Sequence, residues 1–188
     1  MTLHPSSLLV TTAMLVFGSI TVTAQISQIY RLCEPFLNPV LELSAVSLPF
    51  FIRSPNYPNP YPVNAQCSLI LQSGFEPLVL TFKVSTFQTE ANTPCTMDYL
   101  CIHGIKFCGQ WVAGNEFQFI VPENKTLTLF FRSDGSNSGS GFNIIVKTDV
   151  AQPGQVIYQP QDGTSDETLV RFSRVRYPST LPYLDVCN

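Results

Sequence analysis

Five residues stand out for the chemistry they could do together: Glu90, Asp98, Asp134, Ser136 and Asn137. They lie between or beside apolar runs and offer carboxylate, hydroxyl and amide oxygens, with no imidazole or thiolate among them. Oxygen ligands brought from separate loops suit a hard cation such as Ca2+, which takes about six to eight oxygens and tolerates irregular geometry. Spacing alone leaves a second reading open, in which these are ordinary solvated acids and Asp134 to Asn137 is merely a turn.

Nucleophilic catalysis needs a Ser or Cys beside a base that an acid orients. The chain has two histidines, and His4 falls in a segment that reads as removable, which leaves His103 as the candidate base. His103 follows Ile102 at a strand end and reads as a turn residue. No GxSxG elbow, HExxH zinc motif, Gly-rich phosphate loop or Rossmann fingerprint occurs. No enzymatic activity is expected.

The 188 residues carry a net charge of -3, with 10 Lys and Arg against 13 Asp and Glu. A broad basic field of the kind that attracts nucleic acid or an anionic membrane is absent, so nucleic acid is not an expected partner. The first 24 residues hold no Asp, Glu, Lys or Arg; Leu8 to Ile20 is largely apolar, and Thr21, Val22, Thr23 and Ala24 close it with small residues. This is the pattern of a secretory signal peptide cleaved after Ala24, leaving Gln25 to Asn188. No second run approaches the roughly 18 apolar residues needed to span a bilayer, so a secreted, extracellular chain is expected.

Export makes disulfides the default state of all six cysteines, Cys33, Cys67, Cys95, Cys101, Cys108 and Cys187. No two of them have the spacing of a zinc site. Asn124, Lys125 and Thr126 form a glycosylation sequon after Pro122, which suits an exposed turn.

The elements that would position these groups are strands. Leu78, Leu80, Phe82 and Val84 alternate with Val79, Thr81, Lys83 and Ser85, and Leu127, Leu129 and Phe131 alternate with Thr126, Thr128 and Arg132. Further strands are expected at Cys67–Leu71, Asp98–His103, Glu116–Val121 and Gly141–Lys147, with loops rich in Gly, Pro, Asn or Ser between them. Hydrophobic residues make up 45% of the chain, including 14 Phe, and long helical periods are absent. The expected fold is therefore all-β, an antiparallel β-sandwich. Pro55, Pro58, Pro60 and Pro62 each lack an N–H and bar a central strand, so that segment reads as a rigid surface loop. The organisation read from the chain is a signal peptide at 1–24, an N-terminal extension at 25–46, a sandwich domain at 47–149, and a C-terminal tail at 150–188 with one plausible strand, Thr168–Val175.

The order of several motifs adds to this reading. SPNYPNPYP at Ser54–Pro62 is followed by Cys67, then Phe87 and Glu90, then Cys95 and MDYL at Met97–Leu100, then Cys108 with Gly109, then FRSDGSNSGSGF at Phe131–Phe142. This succession resembles the CUB domain family, whose members are extracellular β-sandwiches, jelly-roll in kind, that mediate protein contacts. In the calcium-binding subset a loop tyrosine, a Glu, the Asp of the DYL-like run and a later Asp with its Ser and Asn form the ion site. Carried over by motif, the resemblance implies Tyr61, Glu90, Asp98, Asp134, Ser136 and Asn137, with Tyr61 in a supporting role. This chain departs from the pattern in its distant first cysteine, in Leu69 where an aromatic residue is common, in the short stretch between Cys95 and Cys108, and in the extra Cys101.

The pairings expected are Cys33 with Cys67 and Cys95 with Cys108 and, for the cysteine outside the family pattern, Cys101 with Cys187. If Leu100 and Ile102 face the core, Cys101 points out, where the tail could reach it. The function implied is a secreted binding module that uses a Ca2+-organised acidic cluster to hold an extracellular protein through an exposed Lys or Arg. The alternative is a calcium-independent, spermadhesin-like module that binds glycans or a surface.

Overall fold

In the computed structural model, residues 28–34, 40–92, 94–160 and 172–176 are described; the expected signal peptide lies outside them. No α-helix occurs among these residues. Among them, thirteen strands form two main sheets and a further two-stranded sheet. The first sheet contains β1 (Ile29–Arg31), β3 (Phe50–Arg53), β11 (Gly141–Val150) and β5 (Leu78–Gln88) in that order. Along the far side of β5 run β9 (Glu116–Val121) and the two-residue β8 (Gln110–Trp111). The second sheet runs β2 (Val40–Leu43), β4 (Gln66–Ser73), β10 (Thr126–Arg132), β6 (Tyr99–Ile102) and β7 (Ile105–Phe107). These two sheets make the expected sandwich, antiparallel except where β1 joins β3 and β2 joins β4 in parallel.

Period-two alternation builds the core directly. On β10, Leu127, Leu129 and Phe131 are fully buried, whereas Thr126, Thr128 and Phe130 are partly covered and Arg132 is exposed. On the facing sheet Leu78, Leu80, Phe82 and Val84 of β5 and Phe142, Ile144 and Val146 of β11 point inward. The aromatic residues interlock at the centre: Phe82 stacks on Phe117 with centroids 5.3 Å apart, and Phe107 meets Phe117 at 4.5 Å. Such ring pairs contribute about 0.5–1.5 kcal/mol beyond their buried area.

Two features of the sequence reading change here. The segment 25–46, expected as an extension, contributes β1 and β2, one edge strand to each sheet, and Cys33 bonds to Cys67 at the start of β4. Pairing along β3 and β4 supplies the hydrogen bonds that local periodicity did not announce. The expected tail contains β12 (Val156–Pro160) paired with β13 (Phe172–Arg176), the latter overlapping the strand read at Thr168–Val175. β12 lies alongside β9 and buries Ile157.

Cys95 and Cys108 are bonded as expected. Cys101 does point away from Leu100 and Ile102, yet it is completely buried. Cys95, Tyr99, Cys101 and Cys108 form a satellite cluster on the outer face of the second sheet, with Phe130 packed against it. Cys101 is itself in a disulfide, and Cys187, its expected partner, lies outside the described residues.

Candidate functional site

Three connections meet at one end of the sandwich: residues 54–65 between β3 and β4, 89–98 between β5 and β6, and 133–140 between β10 and β11. The Pro-rich connection is a loop as expected, although its Ser54 and Tyr61 are buried rather than at the surface. Ser54 and Phe142 exchange two hydrogen bonds, the Ser54 N–H donating to the Phe142 carbonyl and the Phe142 N–H to Ser54 Oγ, each at 3.0 Å. Gly141 is required beside them: its φ is +82°, and a Cβ there would come within 1.9 Å of Ser54 Oγ. Ser133 ties the third connection to the first, accepting from Ala65 N–H at 2.9 Å and donating to the Pro62 carbonyl at 2.8 Å. The Asn64 N–H adds a bond to the Asp134 carbonyl.

Within this frame Glu90, Asp98 and Asp134 converge, one carboxylate oxygen of each lying within 4.8 Å of the others. Asp98 is fully buried. Its Oδ2 accepts from the Tyr61 hydroxyl at 2.6 Å and its Oδ1 from the Asp134 N–H at 2.8 Å. Burial raises its pKa; these two bonds oppose the shift, and the charges of Asp134 and Glu90 add to it. The Tyr61 hydroxyl also titrates above its ordinary value, first through burial and then through its bond to Asp98. Its ring packs edge-on against Phe131 at 5.2 Å, which fixes the direction of the hydroxyl.

The other expected residues also arrive at this cluster. Ser136 donates through its N–H and Oγ to Asp134 Oδ1, at 2.8 and 3.1 Å. Asn137, in left-handed backbone conformation at φ +49°, donates through Nδ2 to Glu90 Oε1 at 3.0 Å. Glu90 is anchored by its own N–H, which donates to the Tyr61 hydroxyl at 3.1 Å. Glu90 Oε2 is buried and has no hydrogen-bond partner. An unpaired carboxylate oxygen withdrawn from water is costly, and a bound cation would satisfy it. The donor set is all oxygen and carries three formal negative charges, which fits Ca2+ and gives a soft metal no preferred ligand.

Thr89, Ser133 and Asn64 support the cluster without having been singled out in the sequence. Thr89 Oγ1 accepts from the Gly109 N–H at 3.0 Å and approaches the Asp98 carbonyl at 3.5 Å, linking both ends of the 89–98 connection to the strand after Cys108. The signal available was their place in the three connections: Thr89 and Ser133 each sit two residues past an aromatic strand residue, Phe87 and Phe131, and Asn64 lies between Val63 and Ala65. His103 takes no part. With Gly104 it makes the two-residue turn between β6 and β7, both at positive φ, as twisted hairpins prefer.

The family profile described as CUB domain matches residues 47–145. Mannan-binding lectin serine protease 1 of Rattus norvegicus is 30% identical over 96 residues, covering 50% of this chain and 14% of that protein. The suppressor of tumorigenicity 14 protein homolog of Bos taurus is 35% identical over 94 residues, covering 48% and 10%. Human cubilin is 29% identical over 115 residues, covering 58% and 3%. The chain thus spans a small part of the length of these relatives. Among solved structures, the full extracellular region of zebrafish Gpr126/Adgrg6 superposes with a TM-score of 0.51 at 26% identity, covering 65% of this chain and 16% of that one. The CUB1-EGF-CUB2 region of human MASP-1/3 superposes at 0.50 with 19% identity, covering 62% and 49%, a likeness of fold.

Proposed function

The chain belongs to the CUB domain family, whose members are extracellular protein-interaction modules, and from that premise we propose that it is a secreted, non-catalytic binding module whose partner contact depends on Ca2+. The observation that carries this reading is the buried, unpartnered Oε2 of Glu90 among three converging carboxylates. Glu90, Asp98 and Asp134 would hold the ion, with Ser136 and Asn137 as neutral oxygen donors and Tyr61 orienting Asp98. Bound there, Ca2+ would offset the mutual repulsion of the acids and hold the three connections in one arrangement.

Three carboxylates against one divalent ion leave a net charge of about -1, which suits an approaching Lys or Arg from an extracellular protein. No helix among the described residues is long and apolar enough to cross a membrane. Residues 1–24 serve, in this reading, as the export signal.

Isothermal calorimetry on the secreted protein tests the ion site. Binding with a Kd on the order of 10⁻⁴ M to 10⁻³ M, the range of extracellular calcium modules, is expected for the wild type and none for Asp98→Ala. Unchanged binding by Asp98→Ala, or none by the wild type at millimolar Ca2+, rejects the site. Capture of partners from extracellular fluid with and without a chelator then separates this function from the spermadhesin-like alternative, in which chelation releases nothing.

A further inference from the structure

We propose that Asn124 carries an N-linked glycan whose first sugar lies on the ring of Phe75, covering the end of the sandwich opposite the acidic cluster. Strand β4 runs from Gln66 beside the cluster to Ser73, and β10 pairs with it in reverse, so the turns that follow Ser73 and precede Thr126 both lie at the far end. There the two turns are fastened together. The Asn124 N–H donates to the Gly74 carbonyl at 2.8 Å, and the Ser73 N–H donates to the Lys125 carbonyl at 2.9 Å. Ser73 Oγ, buried, also bonds the carbonyls of Pro122 and Lys125.

This fastening puts the sequon asparagine beside an unusual neighbour. Phe75 is 93% exposed, the most exposed of the large apolar residues described, and it gains nothing from the core. The turn after β2 is held next to it, since the Ala45 N–H donates to Glu76 Oε1 at 3.0 Å. A groove of about 410 Å³ opens between these turns, lined by Asn124 and Phe75 together with Glu42, Ser44 and Gln72. That volume is within the usual range for a small-molecule site, roughly 300–1,000 Å³. An aromatic face beside carboxylate, hydroxyl and amide groups is what a sugar needs: the ring meets its C–H face, and the polar groups meet its hydroxyls and acetamide. Asn124 is exposed, adopts φ +55° in its turn, and is itself a wall of the groove, so a sugar attached to Nδ2 is delivered there by the covalent bond.

In the attachment step, a bond forms between Asn124 Nδ2 and the anomeric carbon of a sugar-diphospho-lipid donor. The bond from that carbon to the diphosphate oxygen breaks, the diphosphate leaves with the electron pair, and one amide proton is lost to a base. Glycosylation rests on export of the chain but is independent of calcium. With the far end covered, a protein partner is directed to the acidic end or to the sheet edges.

The test uses the full chain secreted from a eukaryotic host. Peptide mapping before and after enzymatic deglycosylation should place the glycan on Asn124. Thermal unfolding is then compared for the wild type and Phe75→Ala, each with and without the glycan. Deglycosylation should lower Tm by about 2–4 °C in the wild type, the size expected when one ordinary aromatic contact is lost from a chain of this length, and by clearly less in Phe75→Ala. A secreted protein unmodified at Asn124, or equal shifts in the two backgrounds, overturns the proposal. Dimerisation of the glycosylated protein that Phe75→Ala abolishes would assign this face to a second copy and overturn it as well. Failure of the chain to leave the cell would instead refute export.

Discussion

The Tyr61 hydroxyl donates to Asp98 Oδ2 at 2.6 Å across a separation of 37 residues, with both side chains buried. The same hydroxyl accepts from the Glu90 N–H at 3.1 Å. One oxygen of the Pro-rich connection therefore positions two of the three carboxylates, one through its side chain and one through its backbone. The hydroxyl cannot drift, because the Tyr61 ring is held against Phe131. The acids are brought together by protein contacts, an arrangement that a bound ion would not have to build.

Tyr61→Phe keeps the ring and its packing and removes only that oxygen. Asp98 Oδ2 and the Glu90 N–H both lose a partner, and the loss should destabilise the protein by about 1–3 kcal/mol, as for other buried groups left unsatisfied. Ca2+ affinity should fall while binding persists, since Tyr61 orients the carboxylates and is not assigned to the ion. Calorimetry and chemical denaturation of the same preparation check both; Ca2+ affinity equal to wild type would remove Tyr61 from the site.

The raised pKa of Asp98 gives the calcium-free protein a pH dependence of definite sign. Burial is its largest cause, and the unfolded chain returns the carboxyl to about 3.8. Between that value and the raised folded value the folded state binds more protons than the unfolded one, so stability falls as pH rises through this window. In chelator, Tm of the wild type should therefore decline relative to Asp98→Asn across the window and run parallel to it above. Added Ca2+, which favours the ionised carboxylate, should raise Tm more at the upper end of the window than at the lower. A wild-type curve parallel to Asp98→Asn throughout would contradict the assignment.

Alternation made β5, β9, β10 and β11 legible because each has one face on the core and is long enough to show a period. β1 and β2 were not, because three or four residues give too short a pattern and their pairing partners lie well ahead in the chain. β5 shows a subtler limit. Its inward series is Leu78, Leu80, Phe82 and Val84, and a strict period of two would turn Phe87 outward. A bulge at Ser85, where Asn143 opposes Thr86 and Ile144 opposes Val84, resets the phase and sends Phe87 into the core against Phe142. At the acidic cluster the residue types were readable, whereas the bonds from the Asp134 N–H to Asp98 and from the Asn64 N–H to Asp134 come from backbone groups that carry no sequence signature. The burial of Cys101 was equally hidden, since it depends on Phe130 and the Cys95–Cys108 bond covering the outer face of the sheet.

The Cys95–Cys108 bond should couple stability to ion affinity. It closes the connection that carries Asp98, with a sequence separation of 13, and a loop of that size contributes about 3 kcal/mol in the chain-entropy account. The same connection is held independently at its base, where the Thr89 N–H donates to the Gly109 carbonyl at 2.9 Å and the Gly109 N–H to Thr89 Oγ1 at 3.0 Å. Its middle relies on Asn92, whose carbonyl accepts from the Cys95 N–H at 2.8 Å and whose Nδ2 donates to Thr96 Oγ1 at 2.7 Å. Replacing both cysteines, Cys95→Ala with Cys108→Ala, therefore loosens the approach to Asp98 while leaving the main core and its other contacts in place. The double variant should fold with Tm lowered by about 6–12 °C, and its Ca2+ Kd should rise roughly tenfold, the cost of ordering one or two residues on binding. Because the ion then does the ordering that the disulfide did before, saturating Ca2+ should narrow its susceptibility to proteolysis between Glu90 and Asp98 more than it does in the wild type. Limited proteolysis with and without Ca2+ measures this, and equal protection in the two proteins would mean that the ion and the disulfide act on different parts of the fold.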